Sequence, residues 1–591
     1  MCGIFGATGE SLEPYKKGGV DHALVTLSKR GPDDRGILAF PACVLGQTRL
    51  SILDLSLGHQ PMRDNKRDMA ITFNGEIYNY TALKKELESK GHIFSTHSDT
   101  EVILKAYQEY GNNCPKHLDG MFAFAIWDNE KQSLFMARDR FGKKPFYYAF
   151  DDASNFIFAS EIKALFATGN IKGVVDYEAI DNYLTLMYVP PWKSIYKNIQ
   201  VIPPASFAVL KEGNIEIKKY WQLEKKEISI TYPEAKEEGR CLLTESTKKR
   251  MIADVEIGSF LSGGVDSTLV TILAQSFSKT PIKTFSVGYQ NYINELPFAL
   301  EASKKIGSDH YTLQAKDDMV ADLHKVMEYF DEPHADSSDF PQCLVSRLAG
   351  EKVKVALSGD GADELFLGYG WYTRHKNLSY RAHFKEKVFM NPFAGYLNAV
   401  QVFTPSEKKK LWKNNSIVNN DFINDEVKNS KLSSAEKINL FDLTTYLPSQ
   451  LLTKVDRMGM MNSLEVRSPF LDHHLAEFVY NLPETYKTDT STFKRILKDI
   501  LSEYMPKEFV ERRKQGFGAP VKKWLRENTF KNEIYAKLYN STADIYTILD
   551  ERFVKMMIDD FYLKSNDRYN YKIWVLYCLE LWFNSHKQYF A

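Results

Sequence analysis

A cysteine at position two, in Met1-Cys2-Gly3-Ile4-Phe5-Gly6, is the first residue of this chain that could do chemistry. Removal of the initiator methionine, expected before a small residue, would put a thiol and a free α-amino group on one residue. An amine of reference pKa about 8 can take the thiol's proton, so Cys2 would supply nucleophile and base together. A second constellation, Ser262-Gly263-Gly264-Val265-Asp266-Ser267, follows the apolar run Val255–Leu261 and precedes a helix-like run. Its glycines let backbone N–H groups approach an anion, the helix start adds positive potential, and the serines add hydroxyl donors. That is a phosphate cradle, built without the lysine of the GxxxxGK[ST] loop. A third, Ser358-Gly359-Asp360-Gly361-Ala362-Asp363-Glu364-Leu365-Phe366, gathers carboxylates in a glycine-rich turn. Beside a nucleotide's phosphates such carboxylates hold Mg²⁺, and Asp266 and Asp363 are the expected ligands. Lys454, in Leu451-Leu452-Thr453-Lys454-Val455-Asp456-Arg457, could offset charge on a departing phosphate group.

Secondary structure must bring these residues together. The first part of the chain, to about residue 200, alternates apolar runs with Gly, Asn and Asp, the pattern of a β-rich domain. Met69–Phe73, Phe122–Trp127 and Pro145–Tyr148 read as strands, with a helix over Tyr80–Lys90. The junction falls in the Pro-interrupted, then Lys/Glu-rich segment Ile202–Lys226. From Pro233 strands alternate with helices. A helix to Met251, a strand over Val255–Leu261, then Lys283–Tyr289 (strand), Glu295–Ile306 (helix), His310–Leu313 (strand), Met319–Phe330 (helix) and Val353–Leu357 (strand) imply a parallel sheet with helices on both faces. Ligands bind beyond the carboxyl ends of such strands, where both glycine-rich stretches lie. Beyond Arg381 the pattern is mainly helical. The aromatic tail (Tyr569, Tyr571, Trp574, Tyr577, Trp582) reads as core packing, and Lys408-Lys409-Lys410 as a solvated helix face. His59, His97, His310 and His334 lie near motifs without the spacing of a metal site.

A chain of 591 residues has room for several domains, and 44% hydrophobic with 26% charged residues is the composition of a soluble globular protein. Basic and acidic residues balance at 76 each, which argues against nucleic acid or an anionic membrane surface as partner. Six scattered cysteines without a CxxC pair fit a reducing cytoplasm better than a disulfide framework. No apolar run is long enough to span a bilayer. The oligomeric state is left open, a homodimer included.

With these motifs on the page, the chain resembles the glutamine-hydrolysing asparagine synthetase family over about residues 2 to 530. The N-terminal half resembles class II glutamine amidotransferases through Cys2-Gly3-Ile4, Arg30-Gly31-Pro32-Asp33, Arg49-Leu50-Ser51-Ile52, Asn74-Gly75-Glu76-Ile77-Tyr78-Asn79, Ser98-Asp99-Thr100-Glu101 and Ala137-Arg138-Asp139-Arg140-Phe141-Gly142. The C-terminal half resembles the synthetase domain, an N-type ATP pyrophosphatase, through the Ser262–Ser267 and Ser358–Phe366 loops, Asp331-Glu332-Pro333, Lys454–Arg457, Glu465–Asp472 and Arg513-Lys514-Gln515-Gly516-Phe517-Gly518. The resemblance implies an α/β protein: an αββα N-terminal-nucleophile sandwich (2–205), a parallel-sheet ATP pyrophosphatase-like domain (230–530) and a helical C-terminal extension (531–591). It also implies that Cys2 attacks glutamine's side-chain amide to form a γ-glutamyl thioester, with Asn74 and the Gly75 backbone as oxyanion hole. Arg49 would pair with glutamine's α-carboxylate and Asp99 with its α-ammonium, while Leu50, Ser51, Ile52, Leu53 and Glu76 complete the pocket. Leu261, Val287, Ser358 and Gly359 would border ATP, with Ser262, Gly263, Gly264, Asp266 and Ser267 on its phosphates. Ammonia would travel through an internal tunnel to an AMP-activated carboxylate.

This sequence departs from the family pattern at two positions. Asp360 stands where asparagine synthetases carry Glu, one methylene longer, and Leu367 stands where many relatives have glycine. Asp360, with Cys2, Asn74, Gly75 and Lys454, makes up the expected catalytic set. The leading expectation is ATP-dependent synthesis of asparagine from aspartate; its rival is the same chemistry on another carboxylate, such as a sugar uronic acid of a surface polysaccharide.

Overall fold

The computed structural model describes residues 2–289, 294–315, 320–372, 392–413, 422–489, 492–512, 516 and 518–591. Arg513, Lys514, Gln515 and Phe517 of the last motif lie outside the described residues, as do Met1, Met319 and Arg381.

Side-chain alternation builds the first domain. In the strand Cys2–Thr8, Ile4 enters one apolar cluster while Phe5 and Ala7 enter another, as a period of two requires. That strand is buried along its whole length, so both its faces are covered. Its antiparallel sheet runs Ile199–Val201, Tyr147–Phe150, Phe156–Ala159, Cys2–Thr8, Cys43–Arg49, Asp34–Ala39. A second antiparallel sheet runs Asn214–Lys219, Ser206–Lys211, Ser133–Arg138, Gly120–Asp128, Met69–Ile77, Met62–Asp64. Ile4, Leu45 and Phe158 of the first sheet meet Ala70, Ala125 and Met136 of the second between the layers. Val20, Leu24 and Ile162 bring helices onto the outer face of the first sheet, and Leu83, Leu87 and Val102 do so for the second. The result is the αββα sandwich. The strands Ser206–Lys211 and Asn214–Lys219 carry the second sheet past residue 205, so Pro203-Pro204 is a turn between strands and not the sheet's end.

Helix Tyr232–Arg250, opened by a capping box between Thr231 and Glu234, leads into the second domain. Its five strands, all parallel, are ordered Asp309–Ala315, Lys283–Tyr289, Ile257–Phe260, Val355–Leu357, Glu465–Arg467. The chain builds outward on one side of Ile257–Phe260, then returns to build on the other. The switch point lies between Ile257–Phe260 and Val355–Leu357, and both glycine-rich loops leave the carboxyl ends of these two strands.

The remainder is mainly helical and packs inward. Trp574 Nε1 donates to the Ala335 carbonyl (3.1 Å), Trp582 Nε1 to that of Asp331 (3.0 Å), and the Tyr183 hydroxyl to that of Val575 (2.8 Å). Tyr569, Trp574, Tyr577 and Trp582 are buried core, as expected of the aromatic tail; Tyr571 is exposed. Of the lysine run expected as a solvated face, Lys409 and Lys410 are exposed, and the expectation is corrected at Lys408 alone. Lys408 is fully buried, with Nζ 2.5 Å from Asp181 Oδ2 and 2.8 Å from Thr185 Oγ1. A buried ammonium requires a carboxylate partner, and this one comes from a helix more than two hundred residues earlier, out of reach of a local reading.

Several motif residues join the two domains. Arg30 Nη1 lies 2.9 Å from Glu161 Oε1 and 2.8 Å from Asp456 Oδ2. Arg457 reaches Glu161 (2.7 Å) and Asp331 (2.9 Å), and Lys144 reaches Asp456 (3.3 Å). All these side chains are almost wholly buried. Removing one partner from such a network costs about 3–5 kcal/mol, so it fixes how the domains meet.

Candidate active site

The candidate glutamine pocket forms where the edges of both sheets and one helix start converge. Cys2 sits directly opposite Arg49 in the first sheet, and its backbone nitrogen donates to Asn74 Oδ1 of the second sheet at 3.0 Å. Asn74 is fully buried, and its Nδ2 has no hydrogen-bond partner among the described residues. A buried amide donor left open is costly unless something is to accept from it. Gly75 has φ +154°, and a Cβ there would stand 2.0 Å from the Met121 carbonyl oxygen, so only glycine fits beside Asn74. Burial raises the Cys2 thiol pKa, opposed by the Arg49 guanidinium and by hydrogen bonds from the Leu50 backbone and Gln47.

Arg49 Nη2 donates to the carbonyls of Leu53 (2.8 Å) and Asp54 (2.9 Å), which curls the Arg49–Leu53 stretch around it. Its Nε and Nη1 have no partner among the described residues, which leaves an edge of the guanidinium for a carboxylate. Leu50, Ser51, Ile52 and Leu53 are all buried. The second domain pins this stretch: Asp254 N donates to the Ile52 carbonyl (2.9 Å), and Asp54 N donates to Asp254 Oδ2 (2.8 Å). Glu76 crosses the boundary too, its Oε2 3.0 Å from Nη2 of the buried Arg467.

Asp99 opens helix Asp99–Tyr110, capped by Ser98, and its Oδ2 accepts from Ile77 N at 3.0 Å. Burial pushes its pKa up to about 6, against the opposing Ile77 N–H. If Asp99 holds the ammonium of glutamine it must be ionised, so binding weakens as pH falls through about 6. The Michaelis constant for glutamine is therefore expected to rise by up to tenfold per pH unit below that value, and Asp99→Asn to abolish the dependence. Measuring glutamate formation against glutamine concentration from pH 5 to 8 checks this.

The candidate nucleotide site lies at the switch point. In the Ser262–Ser267 loop, Ser262 N and Oγ bond Ser267 Oγ (3.2 and 3.0 Å), and Gly264 N donates to Ser262 Oγ (3.2 Å). Leu261 and Val287 are buried at the strand ends behind it. Gly359 brings the second loop against the first: a Cβ there would lie 2.9 Å from Asp266 Cβ and 3.2 Å from Ser267 N. Ser358 is held by its N–H to the Arg467 carbonyl (2.9 Å) and by its Oγ to Ser468 Oγ (3.0 Å).

The loops bring Asp266 and Asp363 to a common cation, which is Lys494: its Nζ is 2.5 Å from Asp266 Oδ2 and 2.7 Å from Asp363 Oδ1. Burial alone would lower the Lys494 pKa, but the two carboxylates hold it above its ordinary value. A cation already bridges the pair, so the donor set suits a hard divalent ion such as Mg²⁺, whose ligands are carboxylate oxygens. Lys494 was not singled out from the sequence, because it follows no motif and meets Asp266 only in the fold.

Lys454 faces Asp336 (Oδ2, 3.1 Å) and the Ser338 hydroxyl (2.7 Å). Burial alone would lower its pKa, but Asp336 and Asp360 raise it. Burial raises the pKa of Asp360, with Lys454 opposing. Lys454 and Asp360 are thus electrostatic neighbours, and Asp336 is a further partner that the sequence reading missed. Leu367, close after the loop, has φ +55°, the left-handed region that favours glycine.

A sequence model of the asparagine synthase family matches residues 238–584, and one of the glutamine amidotransferase domain matches residues 1–221. Asparagine synthetase [glutamine-hydrolyzing] 1 of Bacillus subtilis (strain 168) is 32% identical over 592 residues, covering 95% of this chain and 93% of that one. This chain belongs to the glutamine-hydrolysing asparagine synthetase family. A putative asparagine synthetase of Methanocaldococcus jannaschii is 38% identical over 413 residues, 66% of this chain and 78% of that one. The likeness extends to a Penicillium rubens protein named amidase chyE, 26% identical with 85% of each chain covered. As a member of this family the chain is a glutamine-hydrolysing, ATP-dependent amidoligase. Among the described residues no helix is long and apolar enough to cross a membrane.

Proposed function

We propose that this protein makes asparagine from aspartate and glutamine, with ATP split to AMP and pyrophosphate. The observation that carries the reading is likeness over nearly the whole chain to proteins named asparagine synthetase, at 32% identity across 95% of the sequence. Cys2 attacks the glutamine amide, and the unpartnered Asn74 Nδ2 with the Gly75 N–H receives the oxyanion. Arg49 and Asp99 hold the two charged ends of glutamine, and Glu76 with Leu50–Leu53 shapes the pocket. The Ser262–Ser267 loop takes the ATP phosphates, with Leu261, Val287, Ser358 and Gly359 around the nucleotide.

Asp266 and Asp363 would hold Mg²⁺, which when bound neutralises phosphate charge. Lys494 and Lys454 add positive charge, and Asp360, with its pKa raised by burial, takes the proton lost when ammonia attacks the acyl-adenylate. Leu50, Ile52 and Phe141 belong to the same apolar cluster as Leu261 and Leu357, which supports a dry path for neutral ammonia between the sites. Six free cysteines support a reducing compartment, the cytoplasm.

A second reading, amidation of another carboxylate such as a sugar uronic acid, is favoured by Asp360 and by the left-handed Leu367. The experiment is pyrophosphate and AMP release with glutamine, comparing L-aspartate with other carboxylates. Release with aspartate and asparagine in the product is expected, and Asp360→Glu should change aspartate turnover severalfold at most. Release with a uronic acid conjugate and none with aspartate overturns the first reading and leaves the mechanism.

A further inference from the structure

Away from both sites, three potential metal ligands converge on the boundary between the domains. Asp119 comes from the sandwich, just before the strand Gly120–Asp128, and His473 and His474 open helix His473–Asn481 of the second domain. One ligand atom from each lies within 4.8 Å of the other two. His473 Nδ1 stands 3.7 Å from Asp119 Oδ1, beyond hydrogen-bond reach although both side chains are largely buried. Two ligands of one tetrahedral ion with bonds of about 2.1 Å stand about 3.4 Å apart, close to that separation. Neither imidazole makes a ring hydrogen bond among the described residues. His474 is exposed, which gives an ion a way in from solvent.

The carboxylate is held for the task. Asp119 Oδ2 is taken by Lys249 Nζ (2.7 Å), its N–H by Asn79 Oδ1 (3.0 Å), and its carbonyl by Tyr78 N (2.7 Å). That leaves Oδ1 aimed at the histidines, the outer-shell support that metal carboxylates receive. The nearby Arg140 guanidinium turns Nη1 and Nη2 to the carbonyls of Leu118 (2.6 Å) and Lys116 (3.1 Å).

We propose that Asp119, His473 and His474 form a site for a divalent transition-metal ion that clamps the two domains together. Two imidazoles and one carboxylate select Zn²⁺, Co²⁺ or Ni²⁺ over Mg²⁺, which prefers oxygen. The site is separate from the Asp266–Asp363 pair and independent of what the enzyme amidates.

The test uses full-length, metal-stripped protein carrying Cys2→Ala, so that the nucleophile's thiol cannot bind. Titration with Co²⁺, read by its visible absorption, and competition with Zn²⁺ should show saturable binding of one ion per chain without thiolate charge-transfer bands. Asp119→Asn and His473→Ala should each weaken binding about 100-fold. His474→Ala, on an exposed side chain, serves if those variants fail to fold; it should weaken binding as well while leaving pyrophosphate release unchanged. Absence of saturable binding below millimolar metal, or binding that these substitutions leave unchanged, overturns the proposal.

Discussion

Replacing Cys2 by alanine is expected to lower glutamine-dependent turnover by about 10⁴-fold or more, while turnover with added ammonia stays within about twofold of the parent. The first half follows from covalent chemistry. Alanine cannot form the thioester, and the other thiols of the sandwich do not replace it, because Cys43 and Cys114 are fully buried in apolar clusters. The second half follows from the architecture. The Cys2 thiol lies between two antiparallel sheets, whereas the phosphate loops lie on a separate parallel sheet. The substitution is small and should leave the strand Cys2–Thr8 in register. Asn74→Ala makes a graded companion: losing one oxyanion donor should cost about 10²–10³-fold in glutaminase rate. Glutamate release measured beside pyrophosphate release separates the outcomes. Equal loss of both activities in Cys2→Ala would mean that the two sites are not chemically distinct.

The parts of this fold that follow local rules were legible in the sequence. Lys283–Tyr289 reads as a strand because its apolar residues are bounded by turn signals, and the structure has the same boundaries. The Ser262–Ser267 loop declares itself because a strand, two glycines and a helix start must be contiguous in sequence. What could not be read was pairing at a distance. Lys408 looks like part of a solvated lysine run until Asp181 is seen beside it. Arg30, Asp331, Asp456 and Arg457 stood out as motif residues, yet in the structure they make the buried charge network between domains. A motif marks a constraint without saying whether that constraint is chemical or architectural. Lys494 shows the converse: a cation at the centre of the candidate phosphate site carried no sequence signal, because its partners lie in loops from two other strands.

That placement makes Asp266→Asn the second large expected effect. Asp266 and Asp363 share the Lys494 ammonium, and any divalent ion entering with ATP would compete for the same oxygens. Asparagine keeps the size of the side chain and removes its charge, so the close approach of Gly359 to Asp266 is preserved. Loss of an interaction worth several kcal/mol in charge stabilisation corresponds to about a 10³-fold fall in pyrophosphate release. Glutamate release in the same variant should persist, because Cys2, Asn74 and Asp99 are untouched. Lys494→Met separates two explanations. If Lys494 only neutralises the carboxylates until ATP and its cation arrive, its loss should raise affinity for the divalent ion and spare the rate. If it also holds the departing pyrophosphate, its loss should lower the rate as Asp266→Asn does. Pyrophosphate release that is unchanged in Asp266→Asn would remove this residue from the metal site and leave its contact with Lys494 as packing alone.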